Sequence, residues 1–227
     1  MPSPKPIHKK VYQIGGSDMS HHQDASVFLV DVGNRESVMI DCGAGKSFDA
    51  LVKNMEALGF SPEIMQALIL THCHIDHIGS AAKFKTEFNP EIVAHERDVD
   101  AIEGRNPSRT AASWYGVEYK PVQVDKILSG ERETLTFGDV DFHCLHTPGH
   151  TPGSIAVYCN IEDRRILFGQ DIHGPFDVTF GSDIQAWNDS MGKLIELEAD
   201  ILCEGHFGTY QPKGKVKAYI EGYLRRY

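Results

Sequence analysis

The strongest constraint on this chain is a cluster of four side chains of metal-ligand type. His72, His74, Asp76 and His77 stand in the order H-x-H-x-D-H. They follow almost directly on the apolar run 67–70, which predicts a buried strand. The cluster therefore falls on the loop that leaves the carboxyl end of that strand, where α/β sheets commonly place their chemistry.

The spacing within this loop favours two metal ions over one. Imidazole nitrogen and carboxylate oxygen are common zinc ligands, usually four per ion. His72 and His74 can converge on one ion from an extended loop, whereas Asp76 and His77 form a second pair that points elsewhere. A solvated turn would explain one isolated histidine, but four ligand-type residues in this order argue against it.

The order H-x-H-x-D-H resembles the signature of the metallo-β-lactamase superfamily, and the resemblance extends over residues 27–206. It implies three further ligands. His150 lies in the segment TPGHTPGS, Asp171 closes the apolar strand 166–170, and His206 follows the apolar strand 201–203. Every ligand position of the family then has a residue in this chain.

The resemblance implies that these ligands hold two ions with a bridge between them. The first ion takes His72, His74 and His150, the second takes Asp76, His77 and His206, and Asp171 bridges the two. Two such ions, about 3.5–4 Å apart, lower the pKa of a shared water toward about 7. We therefore expect two divalent ions, Zn²⁺ or alternatively Fe or Mn, and hydrolysis by a metal-bridging hydroxide. Asp76 is expected to be catalytic as well, because it can accept a hydrogen bond from the attacking water.

The resemblance also implies the fold, an α/β four-layer αββα sandwich of two mixed β-sheets with helices outside. Residues 1–227 are expected to form a single domain, because no Pro/Ser-rich linker divides them. The two halves share a pattern. Residues 26–41 and 154–171 each read as strand, charged turn, strand and aspartate, which suggests a duplicated β-rich unit.

Several residues keep two interpretations at this stage. Asp41 is either an acceptor that fixes the tautomer of a ligand histidine or an Asx turn before a glycine. His173 is a candidate catalytic residue that faces the substrate or donates a proton, with a loop histidine bonded to backbone as the alternative. The irregular segment 104–121, with Trp114 and Tyr115, is either a substrate wall or a loop pinned by its aromatics.

Charge and composition limit the partners. The formal net charge of −10 argues against a nucleic-acid-binding surface. No apolar run approaches the roughly 20 residues of a membrane span, and residues 1–6 show no apolar core of a secretory signal. Five scattered cysteines fit buried thiols in a reducing compartment. We expect a cytoplasmic protein with a small-molecule substrate and without nucleic-acid or membrane partners, and the sequence carries no signal for an oligomeric state.

The resemblance places the expected activity near glyoxalase II and the quorum-quenching lactonases. The expected substrate is a small ester, thioester or lactone, and glutathione itself is not expected because no basic pair matches its site. The alternative is a non-haem iron enzyme that uses oxygen, similar to persulfide dioxygenases or flavodiiron proteins. Flavodiiron proteins carry an acidic residue where this chain has His74.

Overall fold

Two mixed β-sheets pack face to face in the computed structural model, which describes residues 3–227. The first sheet holds seven strands in chain order: β1 (Lys5–His8), β2 (Val11–Gly15), β3 (Val27–Gly33), β4 (Glu36–Ile40), β5 (Met65–Ile69), β6 (Glu91–His95) and β7 (Lys126–Leu128). The second holds six: β8 (Arg132–Phe137), β9 (Val140–His146), β10 (Ile155–Ile161), β11 (Arg164–Gln170), β12 (Ile201–Glu204) and β13 (Thr209–Tyr210). The spatial order of the second sheet is β13-β12-β11-β10-β9-β8.

The connecting segments contribute α1 (Phe48–Ala57), α2 (Ile75–Ile78), α3 (Ala81–Phe88), α4 (Glu96–Ile102), α5 (Ala112–Tyr115), α6 (Ile184–Glu196) and α7 (Lys213–Leu224). Short 3-10 turns lie at Pro62–Ile64, Pro107–Thr110 and Val178–Phe180. Within residues 3–227, no helix combines the length and the apolarity that crossing a membrane requires.

Three apolar cores separate four layers. Residues such as Val30, Phe142 and Phe168 fill the space between the two sheets. The outer face of the first sheet packs on α1, α3 and α4, and the outer face of the second packs on α6 and α7. The predicted αββα sandwich of two mixed sheets is therefore confirmed.

Strand β5 is buried on both faces, which explains its unbroken apolar sequence. Ala67 and Ile69 point into the core between the sheets, while Leu68 and Leu70 point into the core beneath the helices. Successive side chains of a strand face opposite sides. Both faces of this strand are buried, so the sequence shows a continuous apolar run instead of an alternation.

The two sheets repeat one connectivity, as the sequence pattern suggested. In the first, β3 and β4 pair antiparallel and β4 pairs parallel with β5. In the second, β10 and β11 pair antiparallel and β11 pairs parallel with β12. Asp41 and Asp171 directly follow the equivalent strands β4 and β11, so the repeat brings two carboxylates to the same edge.

Two segments of the first sheet depart from what their sequence pattern favours. The apolar alternation in residues 122–128 is typical of a strand, but a strand forms only over Lys126–Leu128. Val122 and Val124 are buried as a strand pattern requires, but the Val122 amide donates to the Ile102 carbonyl and the Val124 amide to the Glu103 carboxylate. Their alternation thus reflects packing beneath α4. Strand β1 forms although its Pro-rich segment disfavours a strand, because it lies at the edge of the sheet, where proline is tolerated.

Candidate metal centre

The seven predicted ligands come together at the edge where the central strands end. His72, His74, Asp76 and His77 follow β5, His150 follows β9, Asp171 follows β11, and His206 follows β12. All but His206 are buried residues. The loops that follow strands of both sheets therefore meet in one cluster.

Asp171 lies at the centre of this cluster. Its Oδ1 lies 3.2 Å from His77 Nε2, and its Oδ2 lies 3.4 Å from His150 Nε2 and 3.3 Å from His206 Nε2. His77 and His206 belong to one proposed ion and His150 to the other. The arrangement is therefore compatible with the bridging role expected for Asp171.

The remaining ligands fall into two groups around this carboxylate. His74 Nδ1 lies 2.8 Å from His150 Nε2, and the rings of His72 and His74 are 4.8 Å apart. On the other side, His206 Nε2 lies 3.2 Å from Asp76 Oδ2. In each group, His72 with His74 and His150, and Asp76 with His77 and His206, the candidate donor atoms lie within 4.8 Å of one another.

Divalent metals fit this donor set. His72 Nε2, His74 Nε2, His77 Nε2, His150 Nδ1 and Asp171 Oδ1 are buried and lack a hydrogen-bond partner. Buried polar atoms are normally paired, since an unpaired one costs free energy. Imidazole nitrogen combined with carboxylate oxygen suits zinc, iron or manganese, so these atoms are suited to hold ions.

The pKa values of the clustered side chains are shifted in opposite directions. Burial and the neighbouring His150 lower the pKa of His74 to about 3. Burial also opposes protonation of His206, but the Asp171 and Asp76 carboxylates outweigh it and raise the pKa of His206 to about 10. Burial likewise opposes ionisation of Asp171, yet His206 and His77 hold its pKa well below the ordinary value. Metal-free protein thus keeps a proton that a metal must displace.

Asp41 orients a ligand instead of forming an Asx turn. Its Oδ2 accepts a hydrogen bond from His77 Nδ1 at 2.7 Å and another from the Thr71 hydroxyl at 2.8 Å, and its Oδ1 accepts from the Thr71 amide. The His77 ring therefore lies between Asp41 and Asp171, the two carboxylates of the repeated unit. A proton on Nδ1 leaves Nε2 free for a metal, which is the usual arrangement of ligand histidines.

Asp98 was missed by sequence reasoning and joins two ligand loops. It is 1% exposed and accepts four hydrogen bonds. Its Oδ2 accepts from the Cys73 amide (3.0 Å) and the Thr151 hydroxyl (2.6 Å), and its Oδ1 accepts from Arg109 Nη2 (2.8 Å) and the Gly153 amide (3.0 Å). The only local signal was an acidic residue on a helix that follows a strand.

His173 lines the cavity in front of the cluster. Its Nδ1 lies 2.9 Å from Glu204 Oε1, so a carboxylate partner replaces the backbone partner of the alternative interpretation. Glu204 is fully buried and also accepts hydrogen bonds from the His206 and Phe207 amides at 2.7 Å each. Glu204 thus fixes both His173 and the loop of His206, a role the sequence did not reveal.

The segment 104–121 forms part of the cavity wall. The cavity has a volume of about 380 Å³, and Trp114 and Tyr115 line it together with ligand residues. Gln23 Nε2 donates to the Tyr115 carbonyl at 2.9 Å, which ties this wall to the loop after β2. Burial and the nearby Asp76 carboxylate raise the pKa of Tyr115.

Known proteins share the sequence pattern. The family model described as "Metallo-beta-lactamase superfamily" matches residues 23–206. A probable metallo-hydrolase of Bacillus subtilis, YybB, is 30% identical over 74% of this chain and 74% of its own length. A hydroxyacylglutathione hydrolase of Haemophilus influenzae, GloC, is 27% identical over 86% of this chain and 90% of its own length.

Solved structures share the fold. A mutant metallo-beta-lactamase from Cronobacter sakazakii superposes with a TM-score of 0.84 at 19% identity, covering 100% of this chain and 95% of that one. BJP-1, a subclass B3 metallo-beta-lactamase of Bradyrhizobium japonicum, gives 0.82 at 20% identity, covering 99% and 92%. The family match, the related metallo-hydrolases and the clustered His and Asp side chains support a metal-dependent hydrolase. Because this family model matches most of the chain, the chain belongs to the metallo-beta-lactamase superfamily.

Proposed function

We propose that this protein is a dinuclear metal-dependent hydrolase of a small ester, thioester or lactone. The observation that carries the proposal is the set of His and Asp side chains whose candidate donor atoms lie within 4.8 Å of one another beside a cavity, several of them with a buried, unpartnered nitrogen or oxygen. When bound, divalent ions would supply a hydroxide at neutral pH and Lewis-acid stabilisation of charge on a carbonyl oxygen. His72, His74 and His150 would hold the first ion, Asp76, His77 and His206 the second, and Asp171 would bridge them.

The chain's own groups would orient the reactants. Asp76 is the proposed acceptor for the proton of the attacking water, in addition to its role as ligand. Tyr115 stays protonated at neutral pH, since its pKa is raised, so its hydroxyl can donate a hydrogen bond to a substrate oxygen. His173 faces the cavity while Glu204 holds its Nδ1, which places the other ring nitrogen for proton donation to the leaving group.

A comparison of atmospheres separates hydrolysis from oxygen chemistry. Metal content is measured on protein purified without added metal, and then zinc-loaded and iron-loaded protein is assayed with 4-nitrophenyl hexanoate, a hexanoyl thioester and a hexanoyl-substituted lactone. We expect about two metals per chain and equal turnover in air and in strict anaerobiosis, because hydrolysis consumes neither oxygen nor electrons.

The iron enzyme remains the alternative and gives a different result. Oxygen uptake coupled to product, supported by iron alone, would replace the hydrolase by an oxygen-using enzyme. One tightly held metal per chain, with Asp76 and His206 not required to retain it, would refute the dinuclear site.

A further inference from the structure

The wall of the cavity beyond the ligands is mainly apolar. Its apolar and aromatic members are Ala111, Trp114, Tyr115, Pro175, Phe180 and Phe207, and Ser17, His173 and Asp177 complete it. The Phe180 ring meets the ligand His74 edge-on at 5.4 Å between ring centroids, and Trp114 meets Phe180 edge-on at 4.7 Å. This contact series forms a continuous aromatic surface that starts at the proposed metal site.

The rim of this wall is unusually exposed for aromatic residues. Trp114 is 60% exposed and Phe207 is 56% exposed, and Val178 beside them in the chain segment of Phe180 is 85% exposed. Exposed apolar groups around a cavity mark a ligand-binding site more often than a solvent-facing surface. An apolar group that extends from the reacting bond would cover this surface.

The fixed charges at the cavity are acidic. Apart from histidines, the ionisable groups in its wall are the carboxyls of Asp76, Asp171 and Asp177 and the Tyr115 phenol, and within residues 3–227 no lysine or arginine lines it. Hydrogen bonds from the Thr179 amide and hydroxyl lower the pKa of Asp177, so it is ionised at neutral pH. A second anion entering the cavity would therefore meet a like charge.

The cationic side chains of the segments around the cavity have partners outside it. Arg109 belongs to the segment that carries Trp114, but its Nη2 lies 2.8 Å from Asp98 and its Nη1 donates to the Arg97 carbonyl at 3.1 Å. Lys46, near the loop that holds Tyr115, donates to the Gln23 side chain. Neither side chain lines the cavity. Lys5, which lies in the adjoining groove with Ser17 and Phe207, pairs with Asp18 at 3.2 Å. Within the cavity itself, the positive charge offered to a substrate would therefore be at the metals.

We propose that the site selects uncharged substrates with an apolar acyl arm and discriminates against substrates that carry a carboxylate remote from the reacting bond. This inference rests on the proposed hydrolase function. A carboxylate that leaves water must find a cation or hydrogen-bond donors. The donors Tyr115 and His173 lie beside the ligands, next to Asp76 and Asp171, whereas the wall further out offers mainly aromatic carbon and the Asp177 carboxylate. Glutathione thioesters carry such carboxylates, so the substrate named for the Haemophilus influenzae relative would be a poor one here.

The test uses two esters that differ only at the end of the acyl arm. Zinc-loaded protein is assayed with 4-nitrophenyl hexanoate and with the mono-4-nitrophenyl ester of adipic acid, which replaces the terminal methyl by a carboxylate. We expect kcat/KM for the hexanoate to exceed that for the adipate by about tenfold or more. Calorimetric binding of hexanoate and adipate, the two acid products, supplies a second readout, with hexanoate expected to bind more tightly.

Two variants locate the selectivity in the cavity. Ser17→Lys adds a cation to the cavity wall and should raise the adipate-to-hexanoate ratio about tenfold, since a partly screened charge pair is worth roughly that factor. Thr86→Lys adds the same charge on an exposed residue of α3 and should leave the ratio unchanged. Trp114→Ala should lower kcat/KM for the hexanoate more than for 4-nitrophenyl acetate.

The possible outcomes separate the proposed substrate selectivity from the proposed hydrolase function. Equal kcat/KM for hexanoate and adipate in the wild-type protein would overturn the selectivity while leaving the hydrolase intact. A preference that Thr86→Lys and Ser17→Lys change equally would also overturn it, because the charge would then act from a distance. Failure to hydrolyse the esters, the hexanoyl thioester and the lactone alike, with two metals bound, would overturn the proposed function and the selectivity with it.

Discussion

Replacing Asp98 by asparagine tests how the ligand loops are held together. The buried Asp98 carboxylate accepts from two donors on each oxygen. Asparagine keeps the shape but turns one oxygen into an NH₂ group, which faces two donors. If that group replaces Oδ2, the Thr151 hydroxyl can rotate to accept, but the Cys73 amide loses its partner.

The expected loss of folding stability follows from the hydrogen bonds that Asp98 accepts. A hydrogen bond to a charged group contributes about 1.5–3 kcal/mol, and breaking a buried ion pair on one side costs about 3–5 kcal/mol. With partial relaxation we expect Asp98→Asn to lower the free energy of unfolding by about 2–4 kcal/mol. At a urea m-value of about 2–3 kcal/mol/M, the unfolding midpoint should fall by roughly 0.7–2 M.

The same substitution should weaken metal binding. Cys73 stands between the ligands His72 and His74, and Thr151 follows the ligand His150. Loss of the group that joins these loops should raise the metal dissociation constant about 10–100-fold, as changes to groups that orient ligands usually do. Competition with a chelator measures this constant, and urea unfolding of metal-free protein measures the stability separately.

Asp100→Asn is the matched control. Asp100 lies two residues further along α4 and pairs with Arg105 at 2.7 Å, but both side chains are more than half exposed. An exposed pair contributes only about 0–1 kcal/mol. If Asp98→Asn and Asp100→Asn shift the urea midpoint by the same small amount, the reasoning about Asp98 is refuted.

Two further predictions concern the bridge and a buried histidine. Asp171→Ala should lose metal and turnover together, whereas Asp163→Ala, in an exposed turn, should lose neither. If Asp171→Ala keeps both metals and wild-type turnover, Asp171 does not have the proposed bridging role. Burial and the stacked His146 lower the pKa of His95 to about 4 from 6.5, so stability is full above pH 6.5 and falls as pH drops toward 4. His95→Gln should therefore lose less stability between pH 7 and pH 5 than wild type in metal-free urea unfolding, and equal losses would contradict this.

The sequence by itself carried the motif of ligand candidates, and the family that this motif resembles implied the fold class. Four of the seven candidates lie within one loop, so their proximity follows from chain connectivity alone. The family resemblance supplied His150, Asp171 and His206. The apolar runs 67–70, 166–170 and 201–203 are likewise local patterns, and they predicted the strands that precede the ligands.

Only the tertiary structure decided which groups hold and surround the candidate ligands. Asp98 joins residues 73, 109, 151 and 153, and Glu204 holds His173 across 31 residues of chain; no spacing in the sequence marks such pairs. Asp41 kept two interpretations until its distance to His77 showed the partner. The charge of the cavity is also a property of the fold, because it depends on where each lysine and arginine finds a partner and which of them reach the wall.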